Sequence, residues 1–151
     1  MPTRKASATW EGGLREGRGS FSGESGAIDS SYSFARFKEE GGGTNPEELL
    51  AAAEASCFSM ALAAGLEKEG ATPTRVQTDA ACTVEKVGDG FRVTTMKLTV
   101  RAEVQNVDEA TFQRVAEAMT KGCPISAALQ GNVDIQLDAR LEQPAQSGAG
   151  S

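Results

Sequence analysis

The alternation of polar and apolar positions changes period several times along the chain, and each change predicts an element. Residues 5–10 and 18–22 are short segments containing Ser, Thr and aromatic residues, separated by Gly12, Gly13 and Gly17, which suits two small strands joined by a turn. A third strand is predicted over 32–38, with Tyr32, Phe34 and Arg36 on one face and Ser33, Ala35 and Phe37 on the other. Gly41, Gly42 and Gly43 then break the chain. Asn45 as N-cap, Pro46 at the first helical position and Glu48 in a capping-box arrangement predict a helix over 45–69. Glu48 serves the cap, so Glu47 is the freer carboxylate. Leu50, Ala53, Cys57, Met60, Ala61 and Ala64 recur at spacings of three and four and form the expected apolar stripe.

The second half reads as two long strands, 75–87 and 91–104, joined at Gly88-Asp89-Gly90 as a β-hairpin. Phe91 and Val93 are odd-numbered, whereas Met96, Leu98, Val100, Ala102 and Val104 are even, so a bulge is expected near Thr94 or Thr95. Cys82 alternates with Val76, Ala80 and Val84 as a small core residue. Asp108 opens a helix with Phe112, Val115, Ala116 and Met119 on one face, ending at Gly122. Cys123 and Pro124 stand where an N-cap and first helical residue would begin a shorter helix to about Leu129. A last strand is expected over 133–141. The expectation is one domain over residues 1–141 and a disordered tail over 142–151, which lacks apolar anchors.

Composition narrows the chemistry. Fifteen Lys and Arg oppose 21 Asp and Glu, and a net charge of -6 disfavours phosphate backbones and anionic lipid, so neither nucleic acid nor membrane is expected as a partner. No basic leader precedes an apolar run, and no apolar stretch approaching the roughly 18 residues of a bilayer span is expected, which points to the cytoplasm. The histidine count is zero. Histidine-dependent triads and dyads and the common zinc sites are thereby excluded. Three cysteines, Cys57, Cys82 and Cys123, are odd in number and lack CxxC spacing, so neither a disulfide scaffold nor a metal site is expected.

A reactive cysteine here requires activation by a helix N-terminus or a cation. Cys57 lies about ten residues into its helix, roughly 15 Å from the N-terminus and beyond the reach of that helix's dipole. Cys123, at a helix start, is the better thiolate on local grounds alone.

The ordered strings W-E-G at Trp10, E-S-G at Glu24, Y-S-F-A-R-F at Tyr32, G-T-N-P-E-E-L-L at Gly43, C-F-S-M-A-L at Cys57 and G-C-P-I-S at Gly122 resemble the OsmC/Ohr family of bacterial organic hydroperoxide reductases, the OsmC branch above the Ohr branch. The resemblance spans about residues 4–141. It implies an α+β, OsmC-like fold, with antiparallel sheets around a long central helix, assembled as an intertwined homodimer. It also implies that Cys57 attacks the peroxide, Cys123 resolves the product as a disulfide, Arg36 activates Cys57 and Glu47 orients the arginine. Arg18, in G-R-G-S-F, is the alternative arginine, as in the Ohr branch. No cofactor is called for.

The implied chemistry matches the local reading, because a thiolate too far from its helix terminus needs a cation and a planar guanidinium supplies both charge and donors. The implied partners are an organic hydroperoxide and a dithiol reductant. An apolar pocket containing residues such as Phe34, Phe58 and Met60 would favour an alkyl tail. A non-catalytic carrier of apolar ligands and a redox sensor are the competing readings.

Overall fold

The computed structural model describes residues 2–34 and 43–142. Where the sequence suggests one domain to residue 141, contacts cluster in two compact units, Met1–Leu49 and Leu50–Ser151. From residue 143 onward, the expected tail lies outside the described residues.

The N-terminal unit is a three-stranded antiparallel sheet of β1 (Ala6–Glu11), β2 (Arg18–Gly23) and β3 (Asp29–Tyr32), in that order. The third strand lies earlier than the alternation over 32–38 suggests. Tyr32 pairs with Gly19, one residue from the start of β2, so the ladder runs out of partner there. Of the predicted strand only Tyr32, Ser33 and Phe34 are described; Ala35, Arg36 and Phe37 lie outside the described residues.

Helix α1 (Pro46–Lys68) begins as its cap signals predict: Glu48 N–H donates to Asn45 Oδ1 at 2.8 Å. The Glu48 carboxylate accepts instead from the Thr44 hydroxyl, a variation on the expected box. Leu50, Cys57 and Ala61 of the predicted stripe pack half-buried against the core, but the fully buried stripe lies to one side of them. Glu54, Phe58, Leu62 and Leu66 are buried, at a spacing of four, whereas Ala53 and Ala64 are exposed and Met60 is 72% exposed. Large side chains remove more apolar area from water than alanine, at about 25 cal/mol per Å², and they turn the helix so that they face the core. By length and composition α1 is also long and apolar enough to cross a membrane, which corrects the expectation that no such stretch exists.

In the C-terminal unit β4 (Thr72–Val87) and β5 (Gly90–Gln105) form the predicted hairpin. Val87 pairs with Gly90, and Gly88 has φ 62°, the left-handed conformation that glycine adopts freely in such a tight turn. Thr83 pairs with Thr95 and Val84 with Val93, so Thr94 is the extra residue of the predicted bulge. Beyond it Met96, Leu98, Val100, Ala102 and Val104 are all buried, as their alternation requires. Helices α2 (Glu109–Gly122) and α3 (Pro124–Leu129) follow, then β6 (Asp134–Glu142). Two helices separate β5 from β6, and this crossover returns β6 parallel to β5. This sheet is therefore mixed, where an antiparallel one was expected. Phe58, Leu62, Leu66, Phe112, Val115 and Ala116 share the core with the buried residues of β5.

Candidate active site

Cys57 and Cys123, 66 positions apart in sequence, meet in the C-terminal unit. Cys57 is half-buried on α1, Cys123 is fully buried between α2 and α3, and the two thiols lie close enough for Cys123 to act on the ionisation of Cys57. Cys123 is held from both sides in extended geometry at φ -67° and ψ 129°. Its N–H donates to Met119 O at 3.1 Å, closing α2, and its carbonyl accepts from Ala127 N–H at 2.8 Å, opening α3. Pro124 fits the first helical position, where its missing N–H costs nothing. A residue that ends one helix and starts the next has little backbone freedom, so its thiol is fixed against α1.

Cys123 is the N-cap residue predicted, but its side chain makes no cap hydrogen bond. The first turn of α3 serves Cys57 instead, through a hydrogen bond from the Ile125 N–H that favours the thiolate. That bond is outweighed. Burial first, then the hydrogen bond with Cys123, push the Cys57 thiol above its ordinary value of 9.0, and the charges of Cys123 and Glu54 act in the same direction.

Glu54 and Ser126 are the residues that sequence reading missed. Both are fully buried, and Ser126 Oγ donates to Glu54 Oε2 at 2.5 Å. Glu54 Oε1 is buried with no hydrogen-bond partner among the described residues. Its place in a spacing of four with Phe58, Leu62 and Leu66 is the signal that was available: a carboxylate interrupting an apolar stripe. Cys82 lies elsewhere, on β4 opposite Met96, half-buried against the core as its alternation predicts.

Glu47 belongs to the N-terminal unit. It lines a cavity of about 300 Å³ together with Trp10, Leu14, Tyr32, Phe34 and Pro46, and its Oε1 is buried without a hydrogen-bond partner among the described residues. The aromatic wall is ordered by ring contacts, with centroids 5.5 Å apart for Trp10–Tyr32 and 5.6 Å for Phe21–Tyr32. Gly19 permits that packing, since a Cβ there would stand 2.6 Å from the Tyr32 ring and 2.7 Å from the Trp10 ring. The Arg15 guanidinium lies 5.7 Å from the centroid of Phe34, a cation that sequence reading did not single out. Arg18, the alternative arginine, is exposed at the start of β2 opposite Glu11. Arg36 lies outside the described residues. Phe58 is fully buried in the core, and Met60 borders an open groove with Pro73 and Arg75. Among the described residues no cluster of three or more His, Cys, Asp or Glu could hold a metal.

Comparison with known proteins covers nearly the whole chain. The family model described as OsmC-like protein matches residues 39–138. The chain is 41% identical over 141 residues to peroxiredoxin OsmC of Escherichia coli, covering 92% of this chain and 96% of that protein. It is 35% identical over 137 residues to the organic hydroperoxide resistance protein of Xanthomonas axonopodis pv. citri, covering 87% and 91%. Among solved structures, OhrB of Bacillus subtilis superposes with a TM-score of 0.67 at 27% identity, covering 90% of this chain and 98% of that one. The organic hydroperoxide resistance protein of Elizabethkingia anophelis shares the fold, with a TM-score of 0.75 at 22% identity over 94% and 98%.

Proposed function

Since the chain belongs to the OsmC-like family, we propose that it is a thiol-dependent peroxidase that reduces organic hydroperoxides to alcohols. The observation that carries this reading is the proximity of Cys57 and Cys123, two thiols far apart in sequence and brought together at the helix junction, where Cys123 acts on the ionisation of Cys57. In the first step the Cys57 thiolate attacks the terminal oxygen of the hydroperoxide. The O–O bond breaks, the alkoxide leaves and takes up a proton, and Cys57 becomes a sulfenic acid. Cys123 then attacks the Cys57 sulfur; the S–O bond breaks, water leaves and a Cys57–Cys123 disulfide forms. An external dithiol returns the pair to the reduced state, and a thiol-reducing compartment such as the cytoplasm supplies such reductants.

Cys57 needs a cation, because burial and Cys123 raise its pKa. Arg36 is the residue proposed for that role, and Glu47, with its buried and unpartnered oxygen, the carboxylate that orients it. Within the N-terminal unit, Trp10, Leu14, Tyr32 and Phe34 wall an apolar cavity of the kind that takes alkyl groups. A homodimer is part of the proposal: the exposed Met60 and alanine face of α1 is the surface a second copy would cover.

The test is steady-state consumption of cumene hydroperoxide with dihydrolipoamide as reductant. Many turnovers per chain are expected from the wild type and none from Cys57→Ser. Binding of the hydroperoxide without consumption would favour the carrier reading, and a single turnover that then stops would favour the sensor.

A further inference from the structure

Each cysteine of the pair has a buried polar residue three positions away, and those two residues are bonded to one another. Glu54 precedes Cys57 by three positions on α1, so the two share a helix face. Ser126 follows Cys123 by three positions in the first turn of α3. Ser126 donates to Glu54, which joins α1 to the start of α3 beside the place where Cys57 and Cys123 come together. Glu54 is fully buried and its second oxygen has no hydrogen-bond partner among the described residues. A carboxylate oxygen in such a position costs stability, because nothing replaces the water it has lost. Replacing it by leucine would continue the Phe58, Leu62, Leu66 stripe without that cost.

We infer that Glu54 is the proton carrier for disulfide formation between Cys57 and Cys123, held in place by Ser126. The inference rests on the peroxidase reading and adds a residue to its second step. When Cys123 attacks the Cys57 sulfenic acid, the S–H bond of Cys123 breaks, an S–S bond forms and the S–O bond of Cys57 breaks. The departing hydroxyl needs one proton to leave as water, and Cys123 releases one. As a carboxylate held by Ser126 through Oε2, Glu54 takes the proton released by Cys123 onto its unpartnered Oε1 and then delivers it to the departing hydroxyl, returning to the carboxylate. No proton is exchanged with solvent, and no oxidant beyond the peroxide already consumed is required. The titratable groups acting on Cys57 from its surroundings are Cys123, at the turn into α3, and Glu54, on its own helix.

The role separates the two chemical steps, because Glu54 acts on them with opposite signs. Its negative charge opposes ionisation of Cys57, so removing it favours the thiolate that attacks peroxide. Its loss also leaves Cys123 to depend on solvent for deprotonation. The experiment is a single-turnover reaction with one equivalent of cumene hydroperoxide, between about pH 6 and pH 8, a range below the ordinary thiol pKa. Alcohol release reports the first step, and acid-quenched mass spectrometry reports conversion of sulfenic acid to disulfide. In the wild type the second step is expected to be nearly independent of pH. In Glu54→Gln it should slow by at least about tenfold near pH 6 and rise about tenfold per pH unit, following the thiolate fraction, while alcohol release is no slower. Ser126→Ala keeps the carboxyl, so a smaller slowing with a flat profile is expected.

A wild-type second step that itself rises about tenfold per pH unit would overturn the inference without any variant, which covers the case in which Glu54→Gln does not fold. So would a Glu54→Gln protein with the wild-type rate and profile. Wild-type Cys57 left unoxidised by the peroxide would instead remove the peroxidase reading, and this inference with it.

Discussion

Oxidation should stabilise the C-terminal unit strongly, because the two thiols are already neighbours in the reduced protein. A Cys57–Cys123 disulfide would close a loop of about 66 residues, for which chain-entropy loss in the unfolded state amounts to about 4 kcal/mol at 25 °C. Cys123 is already held beside Cys57 by the ends of two helices, so the bond closes without moving either helix far. For a protein of this size, with a urea dependence near 2 kcal/mol per molar, the midpoint should rise by roughly 2 M. The assay uses Cys82→Ser, which removes the third thiol, unfolded in urea once fully reduced and once after one equivalent of cumene hydroperoxide. Far-UV circular dichroism follows α1 and α2, both of which contribute to the core of this unit. Cys123→Ser, treated identically, should show no such rise. A shift under about 0.5 M in the oxidised protein, or a fall, would mean that the sulfurs are not poised to join and would refute the geometry on which the chemistry depends.

Cys123→Ala removes a hydrogen bond and a charge that both raise the Cys57 pKa, so Cys57 should titrate lower in that variant, read from thiolate absorbance near roughly 240 nm. In the wild type the raised pKa means that the folded state holds its proton more tightly than the unfolded chain. Stability from this source is present below the ordinary thiol value and declines as pH rises through it. Asp108 has the opposite sign: hydrogen bonding with Thr111, first with its side chain and then with its backbone N–H at 2.8 Å, lowers its pKa from 3.8, so its cap stabilises α2 above that value. Asp108→Ala should lower the urea midpoint at neutral pH, and the difference should vanish as acid protonates the wild-type carboxylate. Arg36→Lys should reduce the peroxidatic rate more than about tenfold, whereas Arg18→Lys should have less effect; the reverse order in rapid-mixing assays would identify Arg18 as the activating residue. Glu47→Gln should slow turnover, and Glu48→Gln should mainly lower the melting temperature, because Glu48 serves the α1 cap.

Much of this architecture is legible where local physics and tertiary packing agree. The Asn45 cap, the Asp108 cap, the bulge at Thr94 and the alternation of β5 each follow from a few neighbouring residues, and each is present. The buried face of α1 was misjudged because the alanine pattern and the Phe58, Leu62, Leu66 pattern share one period; side-chain volume decides between them, and volume is invisible to spacing alone. The third strand was displaced because its limits depend on where β2 begins, a non-local constraint. The parallel return of β6 has the same origin, since alternation is identical in parallel and antiparallel strands with one polar face.

At the site, family motifs marked both cysteines, but local physics favoured Cys123 as the thiolate because it stands at a helix start. Three-dimensional packing directs the Ile125 N–H to Cys57 and buries Cys123. Glu54 escaped notice because a glutamate within an alanine-rich helix reads as a solvated residue. Its burial against Ser126 arises from a contact across 72 positions.

The account turns on which sulfurs react. Peptide mapping under non-reducing conditions, after one equivalent of cumene hydroperoxide, reads that directly. A Cys57–Cys123 linked peptide pair with Cys82 still free is the predicted result. A bridge from Cys57 to Cys82, or Cys57 left as a free thiol while the peroxide is consumed, would contradict it.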